Sequence, residues 1–375
     1  MRTLSCIGGA EGDLFATMVG FDGRHAVVTG ASGGMGRELA LQLVEDGCSV
    51  ALCDVRHTEL QETETLCAAL ASAGNVAHVT VTSHVCDVTD AAAVSRLRDD
   101  VCAAHGHVIE ILINNAGIAT SGSFASMDAE RFDRCFNVSW LGTLNMTRAF
   151  LPMVRAGTRG WVVNLSSINA FWNCLGPAKF PVRTPPHAPY CAAKAAVRAF
   201  SEALHFDSIQ NFPHVQVVAV HPGHVGTDIA RLSLVDEEGS SRDAARLKGL
   251  RSADGQRGAG EMTLDEIQEA VGTDFRDSAP TTASEAARQI LSGMRAGSTR
   301  VLVGEDAVVI DWLARAFPRL IYQDWFIMTV LFPWVRSAQM IGRPAGLPLG
   351  RFAMPALLAL LGRSFVPRAA ATARL

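Results

Sequence analysis

Thr29-Gly30-Ala31-Ser32-Gly33-Gly34-Met35-Gly36 is the stretch whose reading decides the fold. It lies directly between an apolar run, His25–Thr29 (HAVVT), and a helical stretch from about Gly36 to Asp46. Glycines at 30, 34 and 36 let the backbone turn tightly and come close to an anion. The helix that follows aims its free N–H groups and positive dipole end at the same point. A glycine-rich turn alone is a weak signal, but one that follows the first strand of an alternating strand-and-helix pattern points to a bound dinucleotide pyrophosphate, with Ser32 and Met35 in the same cradle.

Working outward, short apolar runs alternate with helical stretches. Strands are expected at Ser49–Cys53, His78–Val85, Ile109–Ile113, Gly160–Leu165, Val215–Val220 and Thr299–Val303. Helices are expected at Thr58–Ala73, Ala91–Ala104, Asp128–Val154, Tyr190–Gln210 and Thr282–Ala296, with a weaker one at Leu264–Ala270. Repeated strand and crossover helix means an α/β doubly wound parallel sheet, a Rossmann fold, which binds ligands at the carboxyl ends of its strands. The sequence reads as a loose leader over 1–20, one large domain over 21–311 and an apolar, basic extension over 312–375. Inside the domain, 231–277 is polar and rich in Gly, Ser and charge, the composition of a mobile substrate lid or insertion.

Composition sets limits on function. The 375 residues carry 33 Lys+Arg against 37 Asp+Glu and are 49% hydrophobic, enough for a large core and without the basic excess of a nucleic-acid binder. Nine cysteines with no CxxC pair fit reduced thiols in a cytoplasmic protein, and no metal site is expected. The extension departs from this average, with eight arginines against Asp324 alone, mixed with Trp325, Phe326, Trp334 and the run Leu357–Leu361. Pro333, Arg336, Pro348, Arg351 and Pro355 break its apolar stretches below the ~20 residues a bilayer span needs, so it reads as an oligomer contact or a segment lying on a membrane surface.

Asp54 ends the second strand, about twenty residues past the glycine turn. A carboxylate there can accept from both ribose hydroxyls of the adenosine and would repel a 2′-phosphate, which favours NAD over NADP. Arg56 nearby leaves room for NADP. Asp87-Val88 follows the third strand, either beside the adenine or as a helix cap. Asn114-Asn115-Ala116-Gly117 follows the fourth, where small residues let the chain pass under a cofactor and Asn115 can tie strand ends together. In Tyr190-Cys191-Ala192-Ala193-Lys194, i and i+4 share a helix face, so phenol and ammonium can address one reacting site. A neighbouring cation favours phenolate, which is expected to lower the Tyr190 pKa from ~10 and make it a general acid/base. His221 and His224 read as loop residues around a Pro-Gly turn.

Together these residues resemble the short-chain dehydrogenase/reductase family over about 21–303: the glycine turn, Asp54, Asp87, the NNAG turn, Asn137, Ser166-Ser167, Tyr190/Lys194 and His221-Pro222-Gly223 through Thr227. The resemblance implies catalytic roles for Asn137, Ser167, Tyr190 and Lys194. Ser167 would hold the substrate oxygen, Lys194 would bind the nicotinamide ribose, and Asn137 would position a water leading from Lys194 to solvent. Gly30, Ser32, Gly34, Met35, Gly36, Asp54, Asp87, Val88, Asn115, Ala116 and Gly117 would line the cofactor, and Pro222, Gly223, Val225 and Thr227 would embrace its nicotinamide. The sequence departs from the family in a long Ile168–Pro189 segment carrying Phe171, Trp172 and Phe180, in the 231–277 excursion, and in the extension.

The expected activity is NAD-dependent interconversion of a secondary alcohol and a ketone. Phe171 and Trp172 beside Ser167 and Tyr190 suggest a lipophilic substrate of the steroid, retinoid, terpenoid or long-chain type. A homodimer or homotetramer in the cytoplasm, with peripheral membrane contact through 312–375, completes the expectation. The alternative is an NAD-binding sensor or scaffold without turnover.

Overall fold

The computed structural model describes residues 20–319 apart from 75, 77, 121–123, 126, 172–186 and 233–263. Seven parallel strands form one sheet: β1 (His25–Thr29), β2 (Ser49–Asp54), β3 (Val81–Val85), β4 (Ile111–Asn114), β5 (Gly160–Leu165), β6 (Val215–Pro222) and, last in the chain, β9 (Arg300–Val303). Their order is β3-β2-β1-β4-β5-β6-β9, so the winding reverses between β1 and β4. A second, two-residue pairing joins β7 (Val225–Gly226) to β8 (Thr281–Thr282).

Strand side chains alternate between faces, and both faces are apolar. Ala26 and Val28 enter the layer under α1 (Gly34–Glu45), α2 (His57–Ala73) and α8 (Ala283–Arg295), whereas Val27 enters the opposite layer. That opposite layer is covered by α3 (Ala91–His105), α5 (Gly142–Ala156) and α6 (Ala188–Asn211). Leu39, Ala40, Leu43 and Val44 show why α1 docks: they recur at helical spacing and are fully buried. Asp90 caps α3 by accepting from Ala92 and Ala93 N–H, and Thr282 with Glu285 forms a capping box on α8.

At the amino end of β5, Trp161 is sealed from solvent. Its indole N–H donates to Gln216 Oε1 at 3.0 Å, the Phe21 ring meets it edge-on at 5.7 Å, and the Arg24 and Arg159 guanidiniums lie 5.0 and 5.4 Å from its ring. On the α3 side a chain of polar contacts runs from His25 through His105 and Thr82 to His84, with spacings of 3.2, 2.8 and 2.9 Å.

Two element expectations change. The helix read over Asp128–Val154 is interrupted: α4 (Ala129–Phe136) passes into one π turn (Asn137–Leu141) before α5. The weak helix at Leu264–Ala270 extends to Asp277 as α7 (Leu264–Asp277). A final helix, α9 (Glu305–Ala316), was not anticipated. The chain divides into two compact units, Met1–Ala307 and Val308–Leu375. Among the described residues no helix is long and apolar enough to cross a membrane, no group of His, Cys, Asp and Glu could hold a metal, and no disulfide joins the cysteines.

Candidate functional site

The glycine turn sits where the strand order reverses. Gly30 and Gly34 adopt φ of +65° and +52°, a left-handed backbone that side chains resist. A Cβ on Gly36 would collide with the Gly30 carbonyl oxygen. Asn115 holds the same point from β4: its Nδ2 donates to the Thr29 and Gly30 carbonyls at 2.9 and 3.1 Å, while the N–H groups of Asn115 and Ala116 both donate to Thr29 Oγ1 at 3.0 Å. The tie between strand ends expected of Asn115 is therefore present.

Gly33 precedes α1 without any side-chain cap, so the helix start presents uncapped N–H groups beside a turn stripped of side chains. These features fit the pyrophosphate of a dinucleotide. Thr227 comes down onto this cradle, its Cγ2 lying 3.2 Å from where a Gly34 Cβ would be. The 222–227 segment and the glycine turn thus face each other as a pair.

Asp54 does not wait as a free acceptor. Its Oδ2 accepts from Ser32 N–H (3.1 Å) and Ser32 Oγ (2.5 Å), and its Oδ1 accepts from Arg56 N–H (3.0 Å). Arg56 Nη2 in turn donates to Ser32 Oγ at 2.6 Å, which lays the guanidinium against the glycine turn. Asp87 bends its own loop, Oδ1 accepting from Thr89 N–H and Oγ1 at 2.8 Å each; the helix cap is Asp90, three residues on. Val88 beside it is buried.

Gly117 lies against Lys194 and Ser139. A Cβ there would lie 3.2 Å from both Lys194 Nζ and Ser139 Oγ, so its absence makes a small space that the two side chains share. Ser139 is fully buried and its hydroxyl has no hydrogen-bond partner. It belongs to the π turn that Asn137 opens, in which Gly142 N–H reaches back to the Asn137 carbonyl; such widened turns concentrate at functional sites. This π turn packs against α6, the helix that carries Tyr190 and Lys194.

Ser166 and Ser167 divide the work at the end of β5. Ser166 Oγ donates to the Lys194 carbonyl at 2.8 Å, pinning α6 to the sheet. Ser167 shares a hydrogen bond with the Tyr190 hydroxyl. Lys194 Nζ donates to the Leu165 carbonyl at 2.7 Å and lies 5.6 Å from the Tyr190 ring centroid.

The expectation that Lys194 lowers the Tyr190 pKa is corrected. Withdrawal from water pushes the phenol well above its ordinary value, and the Ser167 hydrogen bond offsets this only in part. Burial also pulls the Lys194 ammonium down to about 8, against a weaker pull from Cys135. The two charged forms are disfavoured together because both groups lie in the same dry layer.

Other candidates fall into place differently. His221 is a fully buried strand residue rather than a loop histidine, its ring 5.3 Å from that of Phe171. Phe171 also has the Arg198 and Arg300 guanidiniums at 5.8 and 5.5 Å from its centroid, so its ring is already engaged in packing. Trp172, Phe180, most of 231–277 and the extension beyond 319 lie outside the described residues. Sequence reasoning missed Ser139 and Asp306. Asp306 Oδ2 accepts from His224 N–H at 2.6 Å, a pairing across 82 residues that no local pattern announces.

Comparisons with known proteins agree with this geometry. A family model described as short chain dehydrogenase matches residues 24–238. "Putative oxidoreductase SadH" of Mycobacterium tuberculosis is 33% identical over 323 residues, covering 85% of this chain and 100% of that protein. Among solved structures, a short chain dehydrogenase/reductase from Burkholderia phymatum in complex with NAD superposes with a TM-score of 0.62 at 24% identity, covering 80% of this chain and 96% of that one. L-Sorbose reductase from Gluconobacter frateurii, complexed with NADPH and L-sorbose, has a TM-score of 0.55 at 21% identity, covering 76% and 96%. With the cradle, the paired strand ends and the Tyr190/Lys194 helix in one crevice, and with more than half its length matched, this chain belongs to the short-chain dehydrogenase/reductase family and is an NAD(P)-dependent oxidoreductase.

Proposed function

We propose that this enzyme interconverts a secondary alcohol and a ketone, prefers NAD, and uses Tyr190 as its general acid/base. The observation that carries the reading is the buried Lys194, one helical turn from Tyr190, its Nζ held on the Leu165 carbonyl at 2.7 Å and 5.6 Å from the Tyr190 ring centroid. When bound, the nicotinamide accepts or supplies the hydride. Ser167 holds the substrate oxygen, and Tyr190 moves the proton at that oxygen. With the phenol favoured over phenolate, Tyr190 is set to give its proton in the reducing direction. In oxidation Lys194 must turn its ammonium from the Leu165 carbonyl toward the phenol. Asn137 would position a water between Lys194 and solvent, and Val225 and Thr227 would meet the carboxamide.

NAD preference rests on Asp54, placed to accept from the adenosine ribose in exchange for its bonds to Ser32. A lipophilic substrate is supported by the aromatic composition of the segment that follows Ser167 in the chain, with Phe171, Trp172 and Phe180. Exposed Phe206 and Ile209 on α6 support contact between copies of the chain, as a homodimer or homotetramer. The basic, aromatic 312–375 segment supports a cytoplasmic enzyme that touches a membrane surface.

The test is Tyr190→Phe. Turnover should fall by about 10²–10⁴-fold while the affinity for NAD changes little. Turnover close to that of the unaltered chain would overturn the assignment of Tyr190.

A further inference from the structure

The Pro222-Gly223-His224 turn is gripped by the start of α9. Asp306 is half-buried there, and its Oδ2 accepts the His224 backbone N–H at 2.6 Å. Gly223 makes this approach possible, because a Cβ on it would collide with both carboxylate oxygens; a Cβ on Gly304 would come within 2.6 Å of Oδ1. The other oxygen, Oδ1, is shut off from solvent and has no hydrogen-bond partner. A buried carboxylate with unused acceptors is costly to the fold. The sheet does not require it: Gly223 N–H already donates to the Val303 carbonyl at 2.9 Å, so the β6–β9 pairing is complete without Asp306.

The charged and titratable groups facing Asp306 are Glu305 on its own helix and His224 on the turn, with Asp274 of α7 facing the His224 ring. None supplies a fixed positive charge. Burial, aided by Glu305, raises the carboxyl to about 6 against the opposing pull of the His224 N–H and the backbone at the start of α9.

We propose that Asp306 is a positioning residue of the nicotinamide half of the site: its carboxylate fixes the Pro222–His224 turn so that Val225 and Thr227 keep their stations over the glycine cradle. This rests on the reading of 222–227 as the segment that faces the nicotinamide. A side chain that anchors a turn without touching cofactor should affect only the half of the ligand which that turn meets.

Calorimetric titration of the full chain with NAD and with ADP-ribose, which lacks the nicotinamide, separates the possibilities. Asp306→Ala should weaken NAD by about tenfold and leave ADP-ribose within about twofold. Asp306→Asn keeps an oxygen for the His224 N–H and fills the orphan position with an amide; it should retain most of the NAD affinity. Equal losses for both ligands in Asp306→Ala, no loss for either, or an Asp306→Asn variant as weak for NAD as Asp306→Ala would each overturn the proposal. Failure of the unaltered chain to bind either ligand would instead overturn the cofactor reading beneath it.

Discussion

At the scale of single residues, the adenosine end turns on a three-way contest among Ser32, Asp54 and Arg56. Removing the carboxylate frees both the Ser32 hydroxyl and the Arg56 guanidinium, which are the groups a 2′-phosphate would seek. Asp54→Ala should therefore shift the ratio of kcat/KM for NADP over NAD upward by about tenfold or more; an unchanged ratio would deny Asp54 its ribose role. Gly36 sets a second limit. Its missing Cβ would meet backbone, which cannot rotate aside, so Gly36→Ala should lower stability by about 1–3 kcal/mol and abolish cofactor binding. A melting curve superposing on that of the unaltered chain would sink this. Gly36 and Asn115 were legible in the sequence because their roles are local to a motif. The phenol of Tyr190 was misjudged because spacing along a helix reports which neighbour is near but says nothing of how much water is gone. Asp306 was illegible for a different reason, since its partner is a backbone N–H distant in the chain.

At the scale of elements, β1, β5 and β6 begin at the expected residues, His25, Gly160 and Val215, because apolar runs buried on both faces need no alternation to be recognised. The π turn escaped notice, since one extra residue shifts helical periodicity too little to show against the apolar pattern of 128–154. The end of α3 carries its own pH signature. His105 is held to about 4 by burial first and then by His25 and His84, below the ordinary value of about 6.5. In the unfolded chain it takes a proton as pH drops through about 6.5, and in the fold it does so only near 4. Stability linked to His105 is thus intact above about 6.5 and drains away between the two values, on the order of 3 kcal/mol in all. Denaturant titrations of the unaltered chain and His105→Gln between about pH 7 and pH 4 should diverge in slope, with the variant the flatter; parallel curves would contradict the depressed value.

At the scale of the whole molecule, the reversal of strand order between β1 and β4 explains why motifs scattered from Gly30 to Thr227 converge in one crevice, and why the sequence could reveal the crevice without revealing the substrate. The substrate-facing segments follow no periodic rule. The extension beyond 319 is best met by experiment: the full chain should sediment with anionic vesicles at low salt and release at high salt, whereas a chain ending at Arg319 should stay in solution. Equal partition of the two would remove the membrane proposal. One feature of the opposite edge has practical value. Trp161, pinned by Gln216 and walled in by Phe21 and two guanidiniums, sits at the amino ends of the strands, with the full length of the sheet between it and the chemistry. In a chain whose other five tryptophans are replaced, its emission would gauge whether that end of the sheet is intact, so unfolding could be followed optically with cofactor present or absent.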